Sequence, residues 1–173
     1  MITGKPFLTT EQIRDKVTEL ADAISRDYEG REVLAIGILK GAFVFFADLI
    51  RALRIPVTVD FIVAASYIKT SSTGETKIYY DVRENINGRD VLLIDDIIDT
   101  GISLNYVRER ILSLGPASLK ICALLDKSER RVVDVPVNYT GFKIPNKFVV
   151  GYGLDYENKY RNLPYIATFK KET

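Results

Sequence analysis

The chain has 173 residues, 47% hydrophobic and 27% charged, which fits one globular domain with a self-sufficient core and excludes a disordered, collagen-like or solenoid chain. Lys and Arg total 24 against 23 Asp and Glu, a net charge of +1, too even for a protein that lives on attraction to a phosphate backbone. There is no histidine, which removes Ser-His-Asp and Cys-His nucleophile systems and most zinc sites, and the single cysteine, Cys122, sits in an apolar run that suits a small buried hydrophobe.

Thr9 with Gln12 three residues on fits a capping box, and Ile13, Val17, Leu20, Ala21 and Ile24 recur behind it at helical spacing. The first element is therefore an amphipathic helix that stops near Gly30. Val33 to Leu39 is apolar without alternation, the pattern of a strand covered on both faces in a parallel sheet. A second helix runs from Ala42 to about Leu53, ended by Pro56, and Val57 to Ala65 is the next strand. Residues 68–77 are small and polar without an apolar period and read as a loop, of a kind that serves as a lid or binding segment. Ile78 to Val82 is a short strand candidate, Asn87-Gly88 a tight turn, and Val91 to Ile94 a second buried strand. A helix follows from about Ser103 to Leu114, ended by Gly115-Pro116. Leu119 to Leu125, Phe148 to Gly151 and Tyr165 to Phe169 complete the strands. The alternation predicts a three-layer α/β fold with a mainly parallel sheet and helices on both faces, in one domain with a small lobe from the chain ends. The opening residues lack a basic segment followed by an apolar one, and no run of about 18 apolar residues exists, so a cytoplasmic protein without a membrane partner is expected.

The segment richest in chemistry is Ile94-Asp95-Asp96-Ile97-Ile98-Asp99-Thr100-Gly101-Ile102-Ser103. A buried strand delivers adjacent carboxylates to the sheet edge where ligands of open α/β sheets collect. The chain then turns into a helix whose first N–H groups lack internal partners, a cradle for phosphate with the Thr100 and Ser103 hydroxyls added. No P-loop lysine motif exists anywhere in the chain. Phosphate beside clustered carboxylates calls for a bridging cation, and oxygen ligands favour Mg²⁺. Capping a helix start accounts for one Asp but not for three in five positions.

This segment resembles the 5-phosphoribosyl pyrophosphate (PRPP) signature of the type I phosphoribosyltransferases. Leu39-Lys40-Gly41-Ala42, Ser66-Tyr67, Leu124-Leu125-Asp126-Lys127, Phe148 to Tyr156 and Lys159 to Tyr165 resemble the 6-oxopurine branch of that family, in the same order along the chain. The resemblance implies a core over about 30–130, a hood from about 1–10 and 135–173, and a mobile lid over about 66–78. It also implies transfer of the phosphoribosyl group from PRPP to hypoxanthine or guanine in purine salvage, with Mg²⁺, in a homodimer or homotetramer that needs no nucleic acid.

Residue by residue, the resemblance turns Asp95 and Asp96 toward the ribose hydroxyls and the metal, and makes Asp99 the proton-transfer residue at the imidazole edge of the purine. Ile98, Thr100, Gly101, Ile102 and Ser103 hold the ribose 5′-phosphate. Lys40-Gly41 resembles the pyrophosphate loop, whose peptide is cis in many members, a conformation that Gly41 would tolerate; read alone it is a strand-to-helix turn. Arg161 reaches the pyrophosphate, or is a surface arginine. Asp155 holds a second Mg²⁺ through water, or is a turn residue. Lys127 points three donors at the 6-position of the base, accepting an oxo group and offering adenine nothing, or is one of a solvated run with Glu129, Arg130 and Arg131. Phe148 stacks on the purine and the Val149 carbonyl accepts from its polar edge; without the family, Phe148 reads as a core aromatic. Ser66 and Tyr67 belong to the lid. The competing readings are a phosphoribosyltransferase for xanthine, adenine or a pyrimidine, and a regulator of the same fold that binds RNA.

Overall fold

A computed structural model describes residues 1–67 and 75–170, with only the backbone of Ala65, Ser66, Tyr67 and Glu75. Helix α1 (Thr10–Asp27) opens with the reciprocal bonds of the capping box: Gln12 N donates to Thr9 Oγ1 at 3.2 Å and Thr9 N to Gln12 Oε1 at 2.9 Å. Its spaced apolar residues Ile13, Val17, Leu20, Ala21 and Ile24 are all buried. The run Val33–Leu39 is strand β1. Then come α2 (Phe43–Ala52), β2 (Val57–Tyr67), β3 (Glu75–Tyr80), β4 (Asp90–Ile98), α3 (Ile102–Leu112) and β5 (Ser118–Asp126). A 3₁₀ turn (Ser128–Arg130), β6 (Tyr139–Lys143) and the short β7 (Val149–Val150) and β8 (Ala167–Thr168) follow.

The six-stranded sheet has the order β3-β2-β1-β4-β5-β6, parallel throughout except for the antiparallel edge strand β3. Both faces are covered, which is why the strand runs do not alternate. Leu92, Ile94, Cys122 and Leu124 pack under α1 and α2, while Val91, Leu93, Leu34, Ile36 and Ile121 pack with α3. Each such side chain contributes roughly 1.5–3 kcal/mol on burial, and desolvation raises the pKa of the Cys122 thiol, so it stays an inert part of this core. At the chain ends, Leu8 and Ile166 exchange backbone bonds of 3.0 Å and Ile2 bridges to Phe169. The N-terminal segment therefore runs beside β8 on the small β7–β8 sheet.

The elements differ from the sequence reading most at β3, β4 and β6. Glu75, Thr76 and Lys77 belong to β3, in register with Tyr67, Ser66 and Ala65, so pairing with β2 overrides their polar composition; the remainder of the expected loop, 68–74, lies outside the described residues. β4 continues four residues past Ile94, because β5 stays paired with it as far as Ile98↔Asp126. β6 was not anticipated, since Tyr139-Thr140-Gly141-Phe142-Lys143 is short and carries a glycine. That glycine is required: a Cβ at Gly141 would overlap the Leu124 carbonyl of the neighbouring strand.

Candidate active site

β1 and β4 pair only from Leu34↔Val91 to Gly37↔Ile94. Beyond that point β1 stays with β2 as far as Leu39↔Val63, and β4 stays with β5. The chain leaves β1 toward β2 on one side and returns to β4 on the other, so the strand order reverses here. A crevice at the carboxyl ends of strands at such a reversal is where open α/β sheets bind ligands. The crevice holds a cavity of about 420 Å³ whose walls include Lys40, Gly41, Asp95, Asp96, Asp99, Ser103, Lys127, Phe148, Asp155 and Arg161. A smaller one of about 250 Å³ adjoins it, walled by Ile98, Thr100, Gly101 and Ser103. A third, of about 440 Å³, lies away from these residues between α1 and α2, around Ile13, Val17 and Tyr152; its charged walls are Arg14 and the mutually paired Asp48 and Arg51.

The strand extension brings Asp95 and Asp96 into the crevice as neighbours on β4. Asp96 N donates to Asp95 Oδ1 at 3.0 Å and Ile97 N to Asp96 Oδ1 at 2.9 Å. Among the described residues neither carboxylate has an ion-pair partner. Burial raises both pKa values above the ordinary 3.8, Asp95 well above it, with the charge of Asp96 adding to the rise at Asp95. Gly41 faces this pair from the end of β1: a Cβ there would overlap the Asp96 carboxylate. The glycine is therefore needed for room. The cis peptide lies one residue earlier than the sequence reading put it, at Leu39–Lys40 rather than Lys40–Gly41.

Just past β4, Gly101 adopts φ +85° as the residue before α3, where a Cβ would also overlap the Val133 carbonyl. Gly101 has no side chain to cap this helix end, and Thr100 Oγ1 accepts from Ile102 N only at 3.5 Å. The turn is held from outside instead, by Val132 N and Val133 N donating to Thr100 O at 2.9 and 3.0 Å. Ser103 faces both cavities. Ile102 opens α3 with its side chain 42% exposed and walls neither cavity.

Asp99 shares the larger cavity with Lys127, which follows β5 and is 6% exposed. Burial lowers the Lys127 pKa, against the pull of the Asp99 carboxylate. Lys127 thus belongs to the cavity wall and not to a solvated charge run. Phe148 is likewise no core aromatic: it is 42% exposed, walls the cavity, and meets Tyr156 edge-on with ring centroids 5.9 Å apart. Val149 is buried in β7 opposite Thr168 and is not among the cavity walls. Arg161 donates to Gly153 O at 2.7 Å and pairs with Asp155 at 2.8 Å, which holds its guanidinium at the rim. The side chains of Ser66 and Tyr67 lie outside the described residues. Sequence reasoning overlooked Ile38, Leu39, Ala64, Ile97, Arg130 and Leu154 as cavity walls. Leu39, Ile97 and Leu154 stand inside the blocks that carry the resemblance and Arg130 in the charged run after Lys127, while Ile38 and Ala64 carried no signal.

A strand-end crevice with a carboxylate pair, a helix start beside it and Lys40, Lys127, Arg130 and Arg161 in its walls suits a phosphorylated small molecule. The family profile described as phosphoribosyl transferase domain matches residues 5–157. The chain is 45% identical over 169 residues to the hypoxanthine-guanine phosphoribosyltransferase of Lactococcus lactis, covering 97% of this chain and 92% of the relative. It is 48% identical over 168 residues to the hypoxanthine phosphoribosyltransferase of Salmonella typhimurium, covering 95% and 94%. A crystal structure of a hypoxanthine-guanine phosphoribosyltransferase from Bacillus anthracis superposes with a TM-score of 0.93 at 47% identity, over 98% of this chain and 100% of that one. The chain belongs to the phosphoribosyltransferase family.

Proposed function

We propose that the chain catalyses transfer of the 5-phosphoribosyl group from PRPP to hypoxanthine or guanine. A ring nitrogen of the base forms a bond to C1 of the ribose, pyrophosphate leaves with the bonding pair, and the base gives up a proton; the products are IMP or GMP. The observation that carries this reading is that Asp99, Lys127 and Phe148 wall the same cavity as Lys40, Gly41 and Arg161. A proton acceptor, a donor and a ring for a base thus share one cavity with cations for a pyrophosphate.

Phe148 supplies the face on which a purine stacks, and Lys127 donates to its 6-oxo group. Adenine presents donors at that position, so a desolvated ammonium facing it is left without an acceptor, which disfavours adenine. Asp99 takes the proton released from the imidazole edge. The open amides and hydroxyls at the start of α3, with Thr100 and Ser103, suit the 5′-phosphate. Lys40 and Arg161 balance the charge that builds on the departing pyrophosphate.

Asp95 and Asp96 fit a hard cation: two adjacent, half-buried carboxylates without ion-pair partners among the described residues, in a cavity of about 420 Å³ that Lys40 and Arg161 also wall. Magnesium commonly uses one or two carboxylates and takes its remaining oxygens from substrate and water. Asp95, Asp96 and, through water, Asp155 would hold it, and its chemistry there is neutralising the pyrophosphate oxygens. A dimer or tetramer accords with exposed Phe43 and Val59, both 44% accessible. Among the described residues no helix is long and apolar enough to cross a membrane.

Incubation with hypoxanthine, PRPP and Mg²⁺ should yield IMP and pyrophosphate in equal amounts. Recovery of both substrates unchanged would overturn the reading.

A further inference from the structure

The Asp99 carboxylate is held from one side only. Its Oδ1 is buried with no hydrogen-bond partner among the described residues. Its Oδ2 lies 3.2 Å from Arg130 Nη1, the only side chain among the described residues that bonds or pairs with this carboxylate. The backbone around Asp99 is by contrast fixed on both sides. Lys127 N donates to Ile98 O at 2.9 Å, Arg131 Nε to Asp99 O at 3.4 Å, and Val132 N to Thr100 O at 2.9 Å. Arg131 is itself anchored on the Asp126 carboxylate. The turn after β5 is thus stapled along the residues that carry Asp99, and Arg130 N closes the turn on Lys127 O at 3.0 Å. What remains free is rotation of the carboxylate about its own bonds. Arg130 is the group placed to stop it.

We infer that Arg130 is a positioning residue for the Asp99 carboxylate, holding Oδ2 so that the carboxylate plane keeps one orientation toward the bound base. The inference rests on the reading of Asp99 as proton acceptor. A paired guanidinium is a suitable holder, because its fixed charge draws Oδ2 toward the 3₁₀ turn even though both side chains are partly exposed. Proton transfer is sensitive to such geometry: the acceptor must stand within hydrogen-bond reach of the proton it takes. A merely structural role for Arg130 predicts lost stability with turnover per folded molecule unchanged. A direct role on the substrate predicts a loss that does not depend on Asp99.

The test is a double-mutant cycle with kcat and both KM values measured separately, using Arg130→Ala, Arg130→Lys, Asp99→Asn and the double variant Arg130→Ala/Asp99→Asn. Arg130→Ala should lower kcat by about tenfold, as expected for a displaced reacting group, with the KM for PRPP within about twofold of the parent. Arg130→Lys should recover most of that loss, since a cation can still reach Oδ2. In the Asp99→Asn background, Arg130→Ala should change kcat by less than about twofold, because the group it positions is already gone. The same tenfold loss on top of Asp99→Asn would overturn the inference, as would an unchanged kcat in Arg130→Ala. If Asp99→Asn is slow and Arg130→Ala is not, the positioning role alone falls. If Asp99→Asn turns over like the parent, the reading of Asp99 falls first and the inference with it.

Discussion

Two glycines four residues apart on the same stretch of chain separate the core from the site. Gly37 lies in β1 and Gly41 just beyond it; neither adopts a positive φ, so alanine meets no backbone strain at either. At Gly37 a Cβ would stand 2.8 Å from Phe46 Cδ2 and 3.1 Å from Phe61 Cδ1. The Phe46 and Phe61 rings are packed against each other at 4.9 Å and Phe46 is 2% exposed, so they have little room to yield. Overpacking of this kind costs about 2 kcal/mol, or a fall in Tm of roughly 6 °C in a chain of this size. At Gly41 the Cβ meets the Asp96 carboxylate, the end of a side chain that faces a cavity and can rotate away. The folding cost is then about 1 kcal/mol, chiefly the bond from Ile97 N that Asp96 gives up, partly offset because alanine lowers the entropy of the unfolded chain. The functional cost is larger, because the rotation turns Asp96 from the place where ribose and cation would bind. Losing one well-placed charged contact of about 2.7 kcal/mol corresponds to a hundredfold fall in kcat/KM. Thermal unfolding and kcat/KM for PRPP, measured on both variants, should therefore give opposite patterns: Gly37→Ala less stable but active, Gly41→Ala nearly as stable as the parent but about a hundredfold lower in kcat/KM. A Gly41→Ala variant with kcat/KM near the parent value would show that the orientation of Asp96 does not matter.

Lys127→Met should lower kcat/KM for hypoxanthine on the order of a hundredfold while leaving the KM for PRPP nearly unchanged, the loss expected when a charged hydrogen bond to substrate is removed; an unaltered ratio of hypoxanthine to adenine activity would refute it. Stability should also depend on pH through the carboxylate pair. Asp95 and Asp96 have folded pKa values raised above the ordinary 3.8, so the folded chain holds protons that the unfolded chain releases. The stability this contributes is complete below about 3.8 and is lost as pH rises through the folded values. Asp95→Asn should accordingly raise Tm over the parent at neutral pH, with the gain vanishing in acid; an equal gain at all pH values would contradict this linkage.

Much of the scaffold could be read from residues because local and tertiary demands agree there. The capping box of Thr9 and Gln12 and the unbroken run Val33–Leu39 each have one good solution, and the chain takes it. β6 was illegible because its reason lies on another strand: Gly141 is there for the Leu124 carbonyl, which no local pattern reveals. The acidic segment pointed to the right sheet edge, but the extension of β4 to Ile98 is imposed by β5 and decides which carboxylates flank the crevice. Phe148 was legible only through the resemblance: its local pattern, an aromatic at a strand start, reads as core, while the residue is open to the cavity. Arg130 stood in a charged run that resembles ordinary solvated surface; its contact with Asp99 depends on a 3₁₀ turn that composition does not announce.

The most direct test is a panel of bases, hypoxanthine, guanine, xanthine, adenine and uracil, each offered with PRPP in the presence and absence of Mg²⁺. Nucleotide should form from hypoxanthine or guanine, only with the metal, and with no product from adenine or uracil. Turnover of adenine at the rate of hypoxanthine, or no product from any base, would contradict the reading of Lys127 and Asp99 as the base-facing end of a phosphoribosyl-transfer site.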